Sequence, residues 1–418
     1  MSESSTSLPG WKKVLALIIA VMLAWLAYRA LTIGMADHYA LSDPVRALSW
    51  RSDHPEALFL QAERLARDPA QAEAAAGFAR RALRVNPLDG RPYRVLAMLA
   101  VQRGDKAEAA KLFRIAAARA PRDLLSQAWL LEFHLAEGNL PAAMQNLDLM
   151  LRVQPALFAR MEPLLLSLVA MPDAHAPLAE RLAASPPWRW RFLMLASSKA
   201  EDVDAVAPLF DRLRKSPGGL APAELSAWID RLGREDRWGQ AYLVWVSQLP
   251  PDRLVGLGNV FNGGFEWEPG QGGFDWRLAR VAGARMDRVA TDGAEGKLAL
   301  RVAFEDRRVP FGHLSQLMAL PPGRYVLAGR ARPDNLRTER GLVWTVSCVA
   351  GGPPLGETEP LLGNGPWRPF ETAFEVPAEG CGGQRLLLRL PARIPAEQRI
   401  GGRAWFDGIK VTRSAVSN

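Results

Sequence analysis

Three carboxylates fall close together in the stretch NGGFEWEPGQGGFDWRL, Asn262 to Leu278: Glu266, Glu268 and Asp275. Two acids facing each other across about 5 to 9.5 Å are the machinery of glycoside hydrolysis, one giving a proton while the other attacks or activates water. The same stretch packs five glycines and two tryptophans into seventeen residues, a composition that equally describes a tight turn whose carboxylates hold backbone groups. Other chemistry finds no support in spacing. The histidines His38, His54, His134, His175 and His313 are scattered, without HExxH or another ligand pattern, and no GxSxG, P-loop or dinucleotide fingerprint occurs. A non-catalytic protein is therefore expected, with the acids as turn-building groups.

The elements that would position these residues follow from the rest of the chain. Its 418 residues suggest two or three domains. Lys and Arg total 52 against 44 Asp and Glu, a net charge of +8, but the arginines are interspersed rather than gathered into a basic tail. With no helix-turn-helix, zinc-finger or RNA-recognition signature, nucleic acid is not an expected partner.

An apolar run, VLALIIAVMLAWLAY, opens the chain at Val14 to Tyr28, and a second apolar stretch follows Arg29. With Arg29 snorkelling to the interface, Val14 to Ala36 spans about 30 Å of hydrocarbon. Lys12 and Lys13 would also suit the n-region of a cleaved signal peptide, but no small-x-small cleavage site precedes Arg29, which favours an uncleaved anchor. The paired lysines place residues 1–13 in the cytoplasm and everything beyond Ala36 across the membrane. In a bacterium with an outer membrane this is the periplasm.

Pro87, Pro121 and Pro155 stand 34 residues apart. Between the first two lie Tyr93 and Leu96, a turn at Gly104, then Ala109, Phe113 and Ala116. The next unit offers Leu130, a turn at Glu137 to Asn139, then Ala143 and Leu147, and Ala75 and Ala82 fall in register upstream. Small alanines let two antiparallel helices approach and proline ends the second. The spacing and marks resemble tetratricopeptide repeats over about residues 37–155, which implies an all-α solenoid with a groove for a protein partner. Helical patterning continues over 156–255, with Trp188, Trp190, Trp228, Trp238 and Trp245 expected in its core and cap.

From residue 256 short alternating strands replace the helical period: KLALRVAF, GRYVLAGRA, GLVWTVSCV, PFETAFEV, QRLLLRL and RAWFDGIKV. Turn-separated strands over residues 256–418 predict an antiparallel sandwich. The order NVFNGGFEWEPGQGGFDWRL, GKLALRV, LMALPPGRYVLAGRAR, PWRPFETAFEVP, AWFDGIKV resembles the galactose-binding-like jelly rolls used by carbohydrate-binding modules. The fold class is thus multidomain: a transmembrane helix, a tetratricopeptide-like solenoid and an all-β jelly roll.

That resemblance implies a structural calcium between the first and last strands, at positions matching Glu266 and Asp407; hard oxygen ligands suit the ion. It also implies sugar contact by aromatic rings. Trp267, Trp276, Trp344, Trp367 and Trp405 are available, with Trp344 and Trp405 expected to point inward and Trp267 to be exposed beside the glycine loop. By neighbourhood, Glu268 and Arg277 join Trp267 and Trp276 as candidate glycan-binding residues.

Cys348 and Cys381 are the only cysteines. In an exported chain a disulfide between neighbouring strands is expected rather than two free buried thiols.

The architecture resembles that of membrane-anchored exopolysaccharide biosynthesis and secretion components of Gram-negative bacteria. It implies an inner-membrane scaffold binding protein through its repeats and glycan weakly through its sandwich. Two other readings stay open: a cell-wall glycan-binding protein with the repeats as spacer, and a glycoside-acting enzyme.

Overall fold

A computed structural model describes residues 10–270 and 272–414. The expected cytoplasmic segment therefore lies outside the described residues over 1–9, as do Gln271 and residues 415–418. The chain forms two compact units. One runs to Glu162 and includes Ala184–Trp188; the other takes in Pro163–Ala183 and the chain from Arg189 onward.

The first unit begins with α1 (Gly10–Ala40). Its segment Val14–Ala40 contains an 18-residue window with a mean hydropathy of 2.3 and is long and apolar enough to cross a membrane. Its large apolar side chains from Val14 to Tyr28 are exposed.

Helices then follow in successive packed pairs: α2 (Pro44–Trp50), α3 (Pro55–Leu65) with α4 (Ala72–Val85), α5 (Arg91–Gln102) with α6 (Lys106–Arg119), and α7 (Leu124–Ala136) with α8 (Leu140–Val153). The sequence explains both ends of each hairpin. Pro87, Pro121 and Pro155 each stand two residues beyond a helix end, because the residue before proline is driven out of helical conformation. Gly104 and Gly138 make the turns at φ 79° and 70°. Asp105 and Asn139 then cap α6 and α8 by accepting the N–H groups of Glu108 and Ala142.

Alanines fill the tight places between these helices, with Ala75, Ala76, Ala79 and Ala82 all buried on α4. Phe113 stacks on Trp129 at 4.5 Å and Trp129 on Phe133 at 5.2 Å. Buried Arg94 ties α5 to its neighbours through Glu63, at 2.8 Å, and Asp123, at 3.2 Å.

In the second unit α10 (His175–Ala183), α11 (Arg189–Lys199), α12 (Val203–Arg214), α13 (Pro222–Arg234) and α14 (Trp238–Val246) precede the strands, α9 (Leu157–Ala170) spanning the division between units. Buried Arg189 meets Glu224 through two bonds of 2.9 and 2.7 Å. It also donates to the carbonyls of Leu182 and Gly219. Trp188, Trp228, Trp238 and Trp245 are buried as expected; Trp190 is instead 47% exposed, standing on the outer side of α11.

Among the described residues ten strands form two antiparallel sheets face to face. One sheet runs β1 (Arg277–Leu278), β4 (Leu314–Met318), β9 (Gln384–Arg389), β6 (Val343–Cys348), β7 (Gly356–Glu357). The other runs β2 (Ala284–Val289), β3 (Ala299–Arg308), β10 (Arg399–Arg413), β5 (Gly323–Thr338), β8 (Arg368–Val376). Leu300, Leu327, Trp344, Leu386 and Phe406 lie in the core between them.

Buried glutamines satisfy backbone groups that lie outside the strands. Gln316 both donates to and accepts from the backbone of Phe261, and Gln384 does the same for Leu320. Cys348 and Cys381 are joined in a disulfide.

Candidate functional site

The glycine-rich stretch is a self-supporting loop. Asn262, at φ 52°, closes it by accepting the Trp267 N–H and donating to the Trp267 carbonyl. Gly263 is required because the last strand returns against it: a Cβ there would stand 1.8 Å from the Ile409 carbonyl oxygen, and the Ile409 N–H donates to the Gly263 carbonyl.

Each clustered acid has its own structural partner. Glu266 accepts the N–H groups of Lys297 and Leu298, Glu268 pairs with Arg288, and Asp275 accepts those of Gly270 and Trp276. Burial pushes the Asp275 carboxyl above its ordinary range, and the two backbone donors pull in the opposite direction.

Glu266 and Asp407, the positions named for calcium, both reach the loop at Glu295 to Leu298. Glu266 holds Lys297 and Leu298, while Asp407 takes the Glu295 N–H at 2.7 Å and the Gly408 N–H at 2.8 Å. Asp407 is fully buried, and burial raises its pKa, with the like charges of Glu295 and Glu266 adding to the rise against its two backbone donors. Both Asp407 oxygens and Glu266 Oε1 accept backbone N–H groups, so a hard cation would have to use their remaining lone pairs and Glu266 Oε2. Among the described residues no three His, Cys, Asp or Glu side chains gather as a metal site by themselves, so backbone carbonyls would have to supply much of the shell.

The rings divide differently from expectation. Trp276 is completely buried, packed on Phe265 at 5.0 Å and Trp344 at 5.7 Å, with its indole N–H donated to Asn262 O. It is core and has no face for a sugar. Trp267 is half-buried, stacked on Phe261 and lying over Gly256. Trp344 points inward as expected. Trp405 does not: its neighbours Ala404 and Phe406 are in the core, so its ring lies on the outer face, where Arg301 and Arg332 flank it in register. Arg332 covers it at 4.3 Å, which is why it is buried all the same. Half-buried Trp367 stands beside Arg330 and Arg332.

A cavity of about 590 Å³ opens on the outward face of the β4–β9–β6 sheet. The register explains its floor. Leu317, Arg385 and Ser347 form one row across β4, β9 and β6, and Arg277 and Ser315 lie on the adjacent row of the same face. Helices make one wall, with Asp230 and Arg234 from α13, Asp236 from the turn at φ 57°, and Trp238 from α14. A second wall, in contact with the first, is Val349 and Ala350 after β6 and Gly380 to Gly383 before β9. The Cys348–Cys381 disulfide joins these two wall segments.

The cavity's chemistry is that of planar cations. Arg385 is exposed and forms no ion pair among the described residues. Arg277 approaches Asp230 at 3.5 Å, and its Nε and Nη2 are shielded from solvent without a hydrogen-bond partner. Of the glycan-binding candidates named from sequence, Arg277 alone lines this cavity; Trp267, Glu268 and Trp276 do not. Asp230, Arg234, Asp236 and Arg385 were missed there. The charged run DRLGREDRW, Asp230 to Trp238, and the Gly382–Gly383 pair beside Cys381 were the available signals.

No family model matches the chain, and no curated protein matches it. The sandwich resembles carbohydrate-binding modules of known structure. The module CBM4 is 14% identical, with 37% of this chain and 99% of that one covered at a TM-score of 0.28. TmCBM61, solved with β-1,4-galactotriose, is 22% identical over 38% of this chain and 99% of its own at 0.27. The module of Cellvibrio mixtus lichenase 5A, solved with cellotriose, is 13% identical over 34% and 98% at 0.22.

Proposed function

We propose that this chain is a non-catalytic, membrane-anchored binding protein of the cell envelope, acting in assembly or export of a polysaccharide. In this reading α1 is a single-pass inner-membrane anchor with a cytoplasmic N-terminus. The helix pairs α3 to α8 are tetratricopeptide repeats that hold a protein partner, and the sandwich makes weak glycan contact in the periplasm.

The observation that carries it is the open cavity on the β4–β9–β6 face, lined by side chains that donate and accept hydrogen bonds. Sugars present hydroxyls in quantity, and such a lining exchanges protein bonds for water bonds at small net gain per group. Weak, selective contact follows rather than tight capture. The commitment of Glu266, Glu268 and Asp275 to backbone and arginine partners supports the non-catalytic reading. The 34-residue spacing of Pro87, Pro121 and Pro155 supports the repeat reading.

Deleting the gene tests the whole. Polymer output or export should fall while the sugar composition of the polymer stays the same, and a reporter active only after export, fused after Asp37, should be active. Unchanged polymer output, or saccharide cleavage by the purified chain, would overturn the reading.

A further inference from the structure

We propose that the cavity on the β4–β9–β6 face takes a carboxylate-bearing glycan segment, whose acid groups are received by the guanidinium groups of Arg277 and Arg385. This rests on the glycan-contact reading above and names the class of sugar.

The first observation is the lack of a stacking platform. Among the described residues Trp238 is the one aromatic side chain lining the cavity, and it is 8% exposed. Its ring is taken up by close contact with Gly233, Gly382 and Gly383, where an added Cβ would stand within 2.7, 2.8 and 2.2 Å of it. A neutral pyranose has no ring to lie on here. Recognition has to come from polar groups.

The second observation is which polar groups are uncommitted. Arg277 is only loosely held: its Nη2 is ion-paired with Asp230 at 3.5 Å, neither Nη2 nor Nε has a hydrogen-bond partner although both are shielded from solvent, and the side chain as a whole is 35% exposed. Donors left unmade are costly, and a ligand carboxylate that displaces Asp230 would accept from two guanidinium nitrogens in their planar fork. Arg385 stands on the same face across β4, exposed and without an ion pair among the described residues. Their strands are two spacings apart, about 10 Å, so the two arginines address separate groups along an extended ligand rather than one anion.

The third observation is the charge balance. Arg234, Arg277 and Arg385 face Asp230 and Asp236, leaving one positive charge in excess. Arg234 donates to the Ser197 carbonyl. Asp230 competes with any ligand for Arg277, which makes its removal informative.

The test uses the full chain in detergent micelles, titrated by calorimetry with tetragalacturonate, its methyl ester and cellotetraose. The acid should bind at least about tenfold more tightly than its ester, the gain of a charge-assisted pair over a neutral one. That preference should fall in Arg385→Ala and in Arg277→Gln, rise in Asp230→Asn, and shrink with added salt. Arg385 is exposed, so its variant keeps the question answerable if Arg277→Gln loses the fold. Equal binding of acid and ester, or a preference that survives both arginine variants, overturns the acidic class while glycan contact stands. If none of the saccharides binds, glycan contact itself is overturned along with it.

Discussion

The indole of Trp238 lies directly on the backbone of Gly383: a Cβ at that glycine would stand 2.2 Å from Trp238 Cε2. The contact joins the start of α14 to the segment that leads into β9, and so fixes the helical wall of the cavity against the glycine wall beside it. Gly382 beside it is equally confined, by Trp238 and by Asp236.

Gly383→Ala should therefore destabilise the protein by about 1 to 3 kcal/mol, the ordinary cost of forcing an atom into a filled place. Denaturant unfolding measures it. Because Gly383 has no positive φ, the loss would be steric and not a matter of backbone strain. A silent substitution would mean that α14 is not seated as described.

Asp275 gives a pH signature. Burial raises its pKa in the folded state above the ordinary value of 3.8, so ionising it costs folding free energy. The sign follows from linkage: its contribution is fully favourable below the unfolded value and is lost as pH rises through the folded one. Asp275→Asn removes the titration. The stability of the native chain relative to this variant should rise as pH is lowered through that window, read from urea unfolding at a series of pH values. A difference independent of pH would contradict a buried, titrating carboxyl.

Much of the fold was legible in the sequence because its signals are local. Prolines every 34 residues and the glycine turns at Gly104 and Gly138 mark the helix pairs, and six alternating runs became β3, β5, β6, β8, β9 and β10. The missed strands lack that signal. β1 and β7 are two residues each, β2 is an edge strand reading ARMDRV with no buried residue, and β4 carries the buried polar Gln316. β5 also runs beyond GRYVLAGRA through Pro333, which is tolerated because its pairing with β8 ends at Ala331 and no partner there needs the missing N–H. The cavity was hardly legible. Its residues are spread from Asp230 to Arg385 and meet through sheet register and helix packing, which no short pattern encodes. Trp405 was misplaced for a related reason: hydrophobicity implied the core, yet an arginine from the next strand buries the ring on the outer face.

The disulfide should matter to both stability and the cavity. Cys348 adjoins Val349 and Ala350, and Cys381 lies within the run Gly380 to Gly383, so the bridge ties the two parts of one wall. Reduction should lower stability by about 2 to 4 kcal/mol and weaken saccharide binding in parallel. Thermal melts with and without reductant, together with mass spectrometry of unreduced peptides, check the two points. Free thiols in the purified chain would contradict the bridge and count against an exported second unit.

Calcium is expected at the loop shared by Glu266 and Asp407. These carboxylates approach Glu295 to Leu298 from the first and last parts of the sandwich, and Asp407 is buried without an arginine or lysine partner among the described residues. A hard cation would balance the like charges of Asp407, Glu266 and Glu295 while binding backbone carbonyls. Ligand binding to the folded state alone stabilises by about 2.7 kcal/mol at a hundredfold excess over the dissociation constant. Chelation should thus lower the melting temperature, calcium should restore it, and Asp407→Asn should abolish the response while retaining a side chain of the same shape. Elemental analysis finding no bound metal, with melts unchanged by chelator, would leave Glu266 and Asp407 as turn-holding carboxylates only.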